Sequence, residues 1–497
     1  MPPYNTINLH PDSHHPSSLP TDTFDVIYIG SGWSTHVSAT RLTKAGMTSV
    51  IIEAELFGGE CPFWACVPSK ALLRPGEAFD EVQGVGGAKE RVDSAKGLDV
   101  DAVMQRRDTW TSNWDEEKMM VPYIASSGAH LVRGYGKLIG VKKVKVTTST
   151  GESFILTAGQ AVVVCTGSEP LIPKIPGLTE AKPWTPREAV STSDVPKHLL
   201  VLGAGVVGCE MVSAFASFGA KVTLVSSTAE ILPRVDPEAG AIIRKRFEKQ
   251  GVNVHLSTTV TRVQREEDGS LIAELAGKPE VKVSEILVAA GRKSRTNGIG
   301  LEQFGLAIDG SPINVDDSLC VPSDSSSWLY AVGDVNGRSP TTHGAKYHGR
   351  ILAKVLLARK NGANFEPKEA DGTAAAADRY AIPQVIFTHP NVASVGLTRQ
   401  KAAAAGRKVK EITALAKTEG AELRMDGYED GWAQWIVDAE SGKLVGATFV
   451  GDNVAELLHA STVAVVGGMT LEQLAHAIPS FPTMSEVYLN LLEAAGF

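Results

Sequence analysis

Cysteine is scarce in this chain, with five residues in 497, at positions 61, 66, 165, 209 and 320. Five thiols so widely spread exclude an extracellular disulfide framework and point to a reducing, cytoplasmic setting with at most one functional pair. Long apolar runs are missing too: none approaches the roughly 20 residues needed to span a bilayer, so no membrane partner is expected. Basic clusters are also absent. The net charge is -8 and the Lys and Arg residues are scattered, which argues against a nucleic-acid partner. No Cys or acidic residues stand at ligand spacing from His10, His14 and His15, so no metal site is expected. Residues 1–23, rich in Pro, Ser, Asp and His, show neither a signal-peptide core nor an Arg-rich amphipathic pattern, and read as a disordered tail.

What is present is length and pattern. A chain of 497 residues exceeds what one hydrophobic core usually serves, and predicts about three domains. The apolar run Phe24–Ile29 predicts a buried strand leading into Gly30-Ser31-Gly32-Trp33-Ser34-Thr35 and a helix. Gly30 permits a tight turn and Gly32 allows the backbone to approach a pyrophosphate, whose charge a helix N-terminus favours. Thr35 replaces the third small residue. A second strand, Ser49–Ile52, ends at Glu53, where a carboxylate accepts hydrogen bonds from ribose hydroxyls. The adenosine half of one dinucleotide is therefore expected here.

A second copy of the pattern is complete. Strand His198–Leu202 runs into Gly203-Ala204-Gly205-Val206-Val207-Gly208 and a helix through Glu210 and Phe215. The next strand, Lys221–Val225, ends at Ser226 rather than at an acid. A carboxylate there would repel a 2'-phosphate, so its absence leans toward NADP(H) over NAD(H), although no Arg or Lys follows at once.

Between these units lie two thiols separated by four residues, in Gly58-Gly59-Glu60-Cys61-Pro62-Phe63-Trp64-Ala65-Cys66-Val67-Pro68-Ser69-Lys70. Such a pair closes a small ring and suits reversible exchange with another electron carrier. Cys165, Cys209 and Cys320 sit in or beside apolar patterns and read as packing residues. A helix is expected over Asp99–Met120, and Ala374–Ala377 reads as a linker.

Further stretches in one order are Thr166-Gly167-Ser168-Glu169-Pro170, Ala290-Gly291-Arg292, Tyr330-Ala331-Val332-Gly333-Asp334 and Pro383-Gln384-Val385-Ile386-Phe387-Thr388. Together with the thiol motif they resemble the pyridine nucleotide-disulfide oxidoreductases, the flavoenzyme group of dihydrolipoamide dehydrogenase, glutathione reductase and mercuric reductase, over nearly everything after residue 23. The resemblance implies an α/β fold with two Rossmann-like dinucleotide-binding domains, for FAD and NAD(P), plus a C-terminal α+β dimerisation domain. The expected boundaries are 24–173 and 298–372 for a discontinuous FAD domain, 174–297 for the NAD(P) domain and 380–497 for a domain that forms a homodimer. It implies that Gly30, Gly32, Glu53, Gly59, Thr166, Gly167 and Asp334 hold FAD, and that Gly203, Gly205, Gly208 and Ser226 hold NAD(P). Lys70 would lie near the flavin paired with Glu210. Cys66 would face the flavin as a thiolate, and Cys61 would exchange with an external thiol or disulfide. The implied reaction carries hydride from NAD(P)H to FAD, opens the Cys61–Cys66 disulfide and reduces a second, small-molecule or thiol substrate.

The C-terminal stretch Phe481-Pro482-Thr483-Met484-Ser485-Glu486 departs from the family's His-Pro-Thr-x-Ser-Glu. Phe481 neither takes nor gives a proton, and a positioned general acid/base is typically worth roughly 10²–10⁴-fold in rate. Glu486 remains as a possible base, and His476 lies five residues upstream of Phe481. No Cys follows Cys320, so the extra C-terminal pair of mercuric reductases is missing. The expected function is electron transfer from NAD(P)H through FAD and Cys61–Cys66 to an atypical substrate. Two alternatives stay open: a dithiol oxidase passing electrons through FAD to O₂ or a quinone, and an inert flavin-binding scaffold.

Overall fold

The structure is a computed structural model that describes residues 6–322, 327–361, 366–429 and 431–497. Its first unit is built on β1 (Thr23–Ile29), which is paired in parallel on one side with β2 (Ser49–Glu53) and on the other with strand Ser153–Val164. Val26, Ile27 and Tyr28 are buried on successive faces, as a parallel strand covered on both sides requires, so the segment reads as a continuous apolar run. The sheet has seven strands. Helix α1 (Trp33–Lys44) follows β1, and after β2 come a short helical turn α2 (Glu60–Phe63) and the long α3 (Cys66–Gln83).

The second unit is opened by α4 (Pro186–Ser191). Next come β3 (His198–Leu202), α5 (Val206–Ser217) and β4 (Lys221–Val225), inside a four-stranded parallel sheet backed by a three-stranded antiparallel one. All of this lies in sequence between Ser153–Val164 and Leu329–Ala331, two neighbouring strands of the first sheet. The first unit is therefore discontinuous. Helix α6 (Thr342–Lys360) completes it by packing on α1. The C-terminal unit is a five-stranded antiparallel sheet carrying helices Val454–Gly467 and Val487–Ala495.

Three expectations are corrected. Residues 6–22 are not a disordered tail: the Arg133 amide donates to the His14 carbonyl at 2.8 Å, and His10 Nδ1 donates to the Ala54 carbonyl at 2.6 Å. Pro16 is buried, and Ile7 and Leu9 pack against the first core. These few apolar groups, diluted among polar residues, carry a docking that composition hides; residues 1–5 lie outside the described residues. The helix expected over Asp99–Met120 breaks after Val100–Trp110, because Ser112, Asn113 and Trp114 take positive φ. The break turns the Trp114 indole inward to donate to the Phe63 carbonyl at 3.1 Å, and Asp115 caps a new turn. Ala374, Ala375 and Ala376 are buried rather than a solvated linker, with the Arg338 guanidinium donating to the Ala375 carbonyl at 3.2 Å.

Candidate active site

Both glycine-rich turns end at a helix whose N-terminal cap is a glycine with no side-chain hydrogen bond, Gly32 for α1 and Gly205 for α5. The first backbone N–H groups of those helices therefore lack a protein cap, which suits a pyrophosphate. A Cβ added at Gly32 or Gly205 would meet nothing within 4 Å, whereas one at Gly30 or Gly203 would strike the carbonyl of Cys165 or Ala289. At Gly208 it would strike the Gly203 carbonyl, so this glycine lets α5 close on its strand. Thr35 fills the corresponding place in α1 by donating its hydroxyl to the Gly30 carbonyl at 3.1 Å. Gly59, at φ 72°, lies close to Gly32, 3.3 Å from a built Cβ to the Gly32 Cα.

The Glu53 carboxylate is held at the end of β2 by the Ser31 amide (3.0 Å) and hydroxyl (2.6 Å) and by the Glu55 amide (3.0 Å). Asp334 accepts from the Ser168 hydroxyl at 2.7 Å, and the Thr166 hydroxyl donates to the Arg295 carbonyl at 2.6 Å beside Gly167. Open space, uncapped amides and a placed carboxylate together fit the first unit to FAD. In the second unit Ser226 is buried at the end of β4, its hydroxyl 2.8 Å from that of Thr228.

Cys61 and Cys66 are both free thiols and half-buried, Cys61 inside the α2 turn and Cys66 at the start of α3. The Cys61 thiol hydrogen-bonds to Cys66, which drives the Cys61 pKa up, and burial adds to this. The same bond pulls the Cys66 pKa down, helped by the Thr342 hydroxyl at 3.2 Å and the charge of Lys70. Cys66 opens α3, and Lys70 is one turn further along. Lys70 Nζ donates to Glu210 Oε2 at 2.7 Å, while Glu210 Oε1 accepts from the Phe387 amide at 3.0 Å. One ion pair thus joins the thiol helix, the second unit and the C-terminal unit. Phe63 and Trp64 are fully buried, so the bulk between the thiols packs inward and offers no ring to a substrate.

The C-terminal departure sits at the surface of the chain. Phe481 is 73% exposed and His476 is exposed. Glu486 is buried, and its Oε2 accepts from the Thr483 amide at 3.1 Å and the Gly420 amide at 3.4 Å, closing a capping box.

Sequence reasoning missed Thr342, Trp33 and Arg187. The Trp33 indole N–H makes no conventional hydrogen bond and favours the Cys61 thiolate, with Lys346 Nζ 3.9 Å above its ring. Arg187 ties Glu55 and Glu60 together beside the thiols. Sequence spacing gives no signal for the three, since each comes from a segment distant in sequence, Thr342 and Trp33 acting on the thiols and Arg187 on the residues around them. Among the described residues no group of three or more His, Cys, Asp or Glu is arranged to hold a metal, and no described helix is long and apolar enough to cross a membrane.

The family model described as pyridine nucleotide-disulphide oxidoreductase matches residues 24–349, and that of the same family's dimerisation domain matches 382–492. The chain is 32% identical over 485 residues to a dihydrolipoyl dehydrogenase of Thermus scotoductus, covering 95% of this chain and 97% of the relative. It is 31% identical over 468 residues to a mercuric reductase of Streptomyces lividans, covering 93% and 94%. Among solved structures, a Cu(II) complex of the HOCl-induced flavoprotein disulfide reductase RclA from Escherichia coli aligns with a TM-score of 0.80 at 24% identity, covering 95% of this chain and 99% of that one. LpdA from Mycobacterium tuberculosis aligns at 0.79 and 22%, covering 96% and 99%. On these matches, with two dinucleotide turns and a thiol pair between them, the chain belongs to the pyridine nucleotide-disulphide oxidoreductases, enzymes that use FAD and a pyridine nucleotide to act on sulfur groups.

Proposed function

We propose that the protein takes electrons from NADPH and delivers them through Cys61 and Cys66 to an acceptor whose reduction draws no proton from position 481. FAD supplies the two-electron carrier between the nucleotide and the thiols. Gly30, Gly32, Glu53, Gly59, Thr166, Gly167 and Asp334 are its proposed binding residues, and Gly203, Gly205, Gly208 and Ser226 those of the nicotinamide nucleotide. The observation that carries the reading is the setting of the thiol pair: Cys66 opens α3 with the Thr342 hydroxyl 3.2 Å from its sulfur, one turn before Lys70, which pairs with Glu210. Cys66, its pKa lowered, is the thiolate beside the flavin, and Cys61, its pKa raised, is the thiol that meets the acceptor. Lys70 and Glu210 set the charge near the flavin from α3 and α5.

Phe481 supports an acceptor other than a dihydrolipoamide or glutathione type of disulfide. Glu486 is the remaining candidate acid of that segment, and its cap leaves only Oε1 to serve a substrate. NADPH is preferred because β4 ends in the hydroxyls of Ser226 and Thr228 rather than in a carboxylate. Three buried free thiols, Cys165, Cys209 and Cys320, support a cytoplasmic setting. Exposed Leu415, Leu423, Val463, Val466 and Phe481 on the C-terminal unit support a homodimer.

Stopped-flow reduction with NADPH and NADH tests the first half, and a screen of disulfides, quinones and Cu(II) under anaerobic conditions tests the second. Fast reduction by NADPH with turnover on an acceptor outside the lipoamide and glutathione class is the expected result. Oxidation of a dithiol by O₂, with the flavin left oxidised by NADPH, would replace this reading with electron flow in the reverse direction.

A further inference from the structure

Beside the thiols lies a cluster of charges that neither the dinucleotide turns nor the Lys70–Glu210 pair uses. Its centre is Arg187, a buried residue of α4. Its Nη2 donates to Glu55 Oε2 at 2.7 Å and its Nη1 donates to Glu55 Oε1 at 3.3 Å. Its Nε donates to Glu60 Oε1 at 3.2 Å, and Nη2 also pairs with that oxygen. Arg295 Nη2 joins the same oxygen at 2.9 Å. The guanidinium carbon lies 5.3 Å from the centre of the Trp64 ring. One side chain therefore holds the residue before Cys61, a residue inside the thiol ring and the second residue after Glu53.

The guanidinium is suited to this because its donors are fixed in a plane and bind two carboxylates in set directions, which an ammonium does not. The anchor is itself rigid. Helix α4 starts with a Thr185–Glu188 capping box, and the Ser191 hydroxyl donates to the Arg187 carbonyl at 2.7 Å. Helix α4 also packs on α3, which Cys66 opens. The network continues to the flavin side, since Arg292 lies 3.9 Å from Glu60 and donates from Nε to Ser168 Oγ at 2.8 Å, which in turn donates to Asp334.

We propose that Arg187 is a positioning residue for electron transfer, fixing the Cys61–Cys66 turn against the flavin through Glu60, Glu55 and Trp64. The proposal rests on the thiol pair being the electron route. Arg187 touches neither thiol and takes no part in proton or electron movement; it sets where the sulfur of Cys66 stands.

The test compares Arg187→Met, Arg187→Lys and Glu60→Gln holoenzymes with the parent by three readouts. These are the long-wavelength absorbance of the two-electron-reduced protein with the rate at which it forms from reduced flavin, the rate of flavin reduction by NADPH, and the alkylation rate of the reduced thiols without flavin. A misplacement of about 1 Å costs on the order of 100-fold in a positioned step. The expected result is loss of more than half of the long-wavelength band and a step from flavin to thiols at least about tenfold slower in Arg187→Met. Reduction by NADPH should stay within about twofold of the parent, and Arg187→Lys should recover only part of the band. If Arg187→Met does not fold, Arg187→Lys and Glu60→Gln, each removing fewer bonds, carry the same test. A band and step rate unchanged in every variant, with only thermal stability lowered, would overturn the proposal. Absence of the band in the parent protein would instead count against the thiol route itself, so the two failures are distinguishable.

Discussion

Replacing Thr342 by Val keeps the shape of the first turn of α6 and removes one hydroxyl, 3.2 Å from the sulfur of Cys66. That hydroxyl favours the thiolate, so its loss must raise the Cys66 pKa. A hydrogen bond to a charged group is worth about 1.5–3 kcal/mol and each pKa unit about 1.4 kcal/mol. The lower end applies, because sulfur is a weak acceptor and the site is half-buried, which gives a shift of about 1 unit. The assay is a pH titration of the long-wavelength absorbance of the two-electron-reduced protein, repeated as a pH profile of thiol alkylation. The midpoint should lie about 1 unit higher in Thr342→Val than in the parent. The sign also constrains stability. The folded-state pKa lies below the ordinary value of 9.0, so the thiolate's contribution is fully present above pH 9 and is lost as pH falls through the lowered folded-state value. A midpoint that stays fixed or moves down would refute the view that Thr342 shapes the reactivity of Cys66.

Lys70→Ala leaves the buried Glu210 without its cation, and reduction of the flavin by NADPH in stopped flow should slow by about tenfold, whereas Lys70→Arg should keep most of the rate. Ser226→Asp should lower kcat/KM for NADPH relative to NADH by at least about tenfold, since a carboxylate at the end of β4 repels a 2'-phosphate; an unchanged ratio would remove Ser226 from the specificity argument. Phe481→His should raise turnover of a small disulfide by at least about tenfold, within the range a positioned acid/base supplies. No gain would show that more than the proton carrier distinguishes this acceptor site. Deleting residues 1–16 removes the packing of the part-buried Ile7 and Leu9 and the buried Pro16, and should cost about 2–3 kcal/mol in denaturant unfolding, at roughly 1 kcal/mol for each side chain.

The dinucleotide units were legible because their signals are local. A buried parallel strand is a continuous apolar run, a turn against a neighbouring carbonyl admits only glycine, and both occur in order along a few residues. The Lys70–Glu210 pair was legible only through the family pattern, since 140 residues separate the two side chains. The docking of residues 6–22 and the burial of Ala374–Ala376 escaped composition because single apolar groups decide both. The helix expected to Met120 ended at Trp110 because Trp114 turns inward to meet Phe63, a partner 51 residues away.

By itself, the sequence determined the fold, the two nucleotide turns and the thiol pair, all set by short-range backbone geometry and by pattern. Tertiary structure alone decided how that pair behaves. Which groups lower the pKa of Cys66, where the bulk of Phe63 and Trp64 goes, and how Thr342 and Arg187 reach the ring depend on groups from distant segments meeting in a half-buried site. There, hydrogen bonds and charges act strongly over a few ångströms and leave no trace in the spacing of residues along the chain.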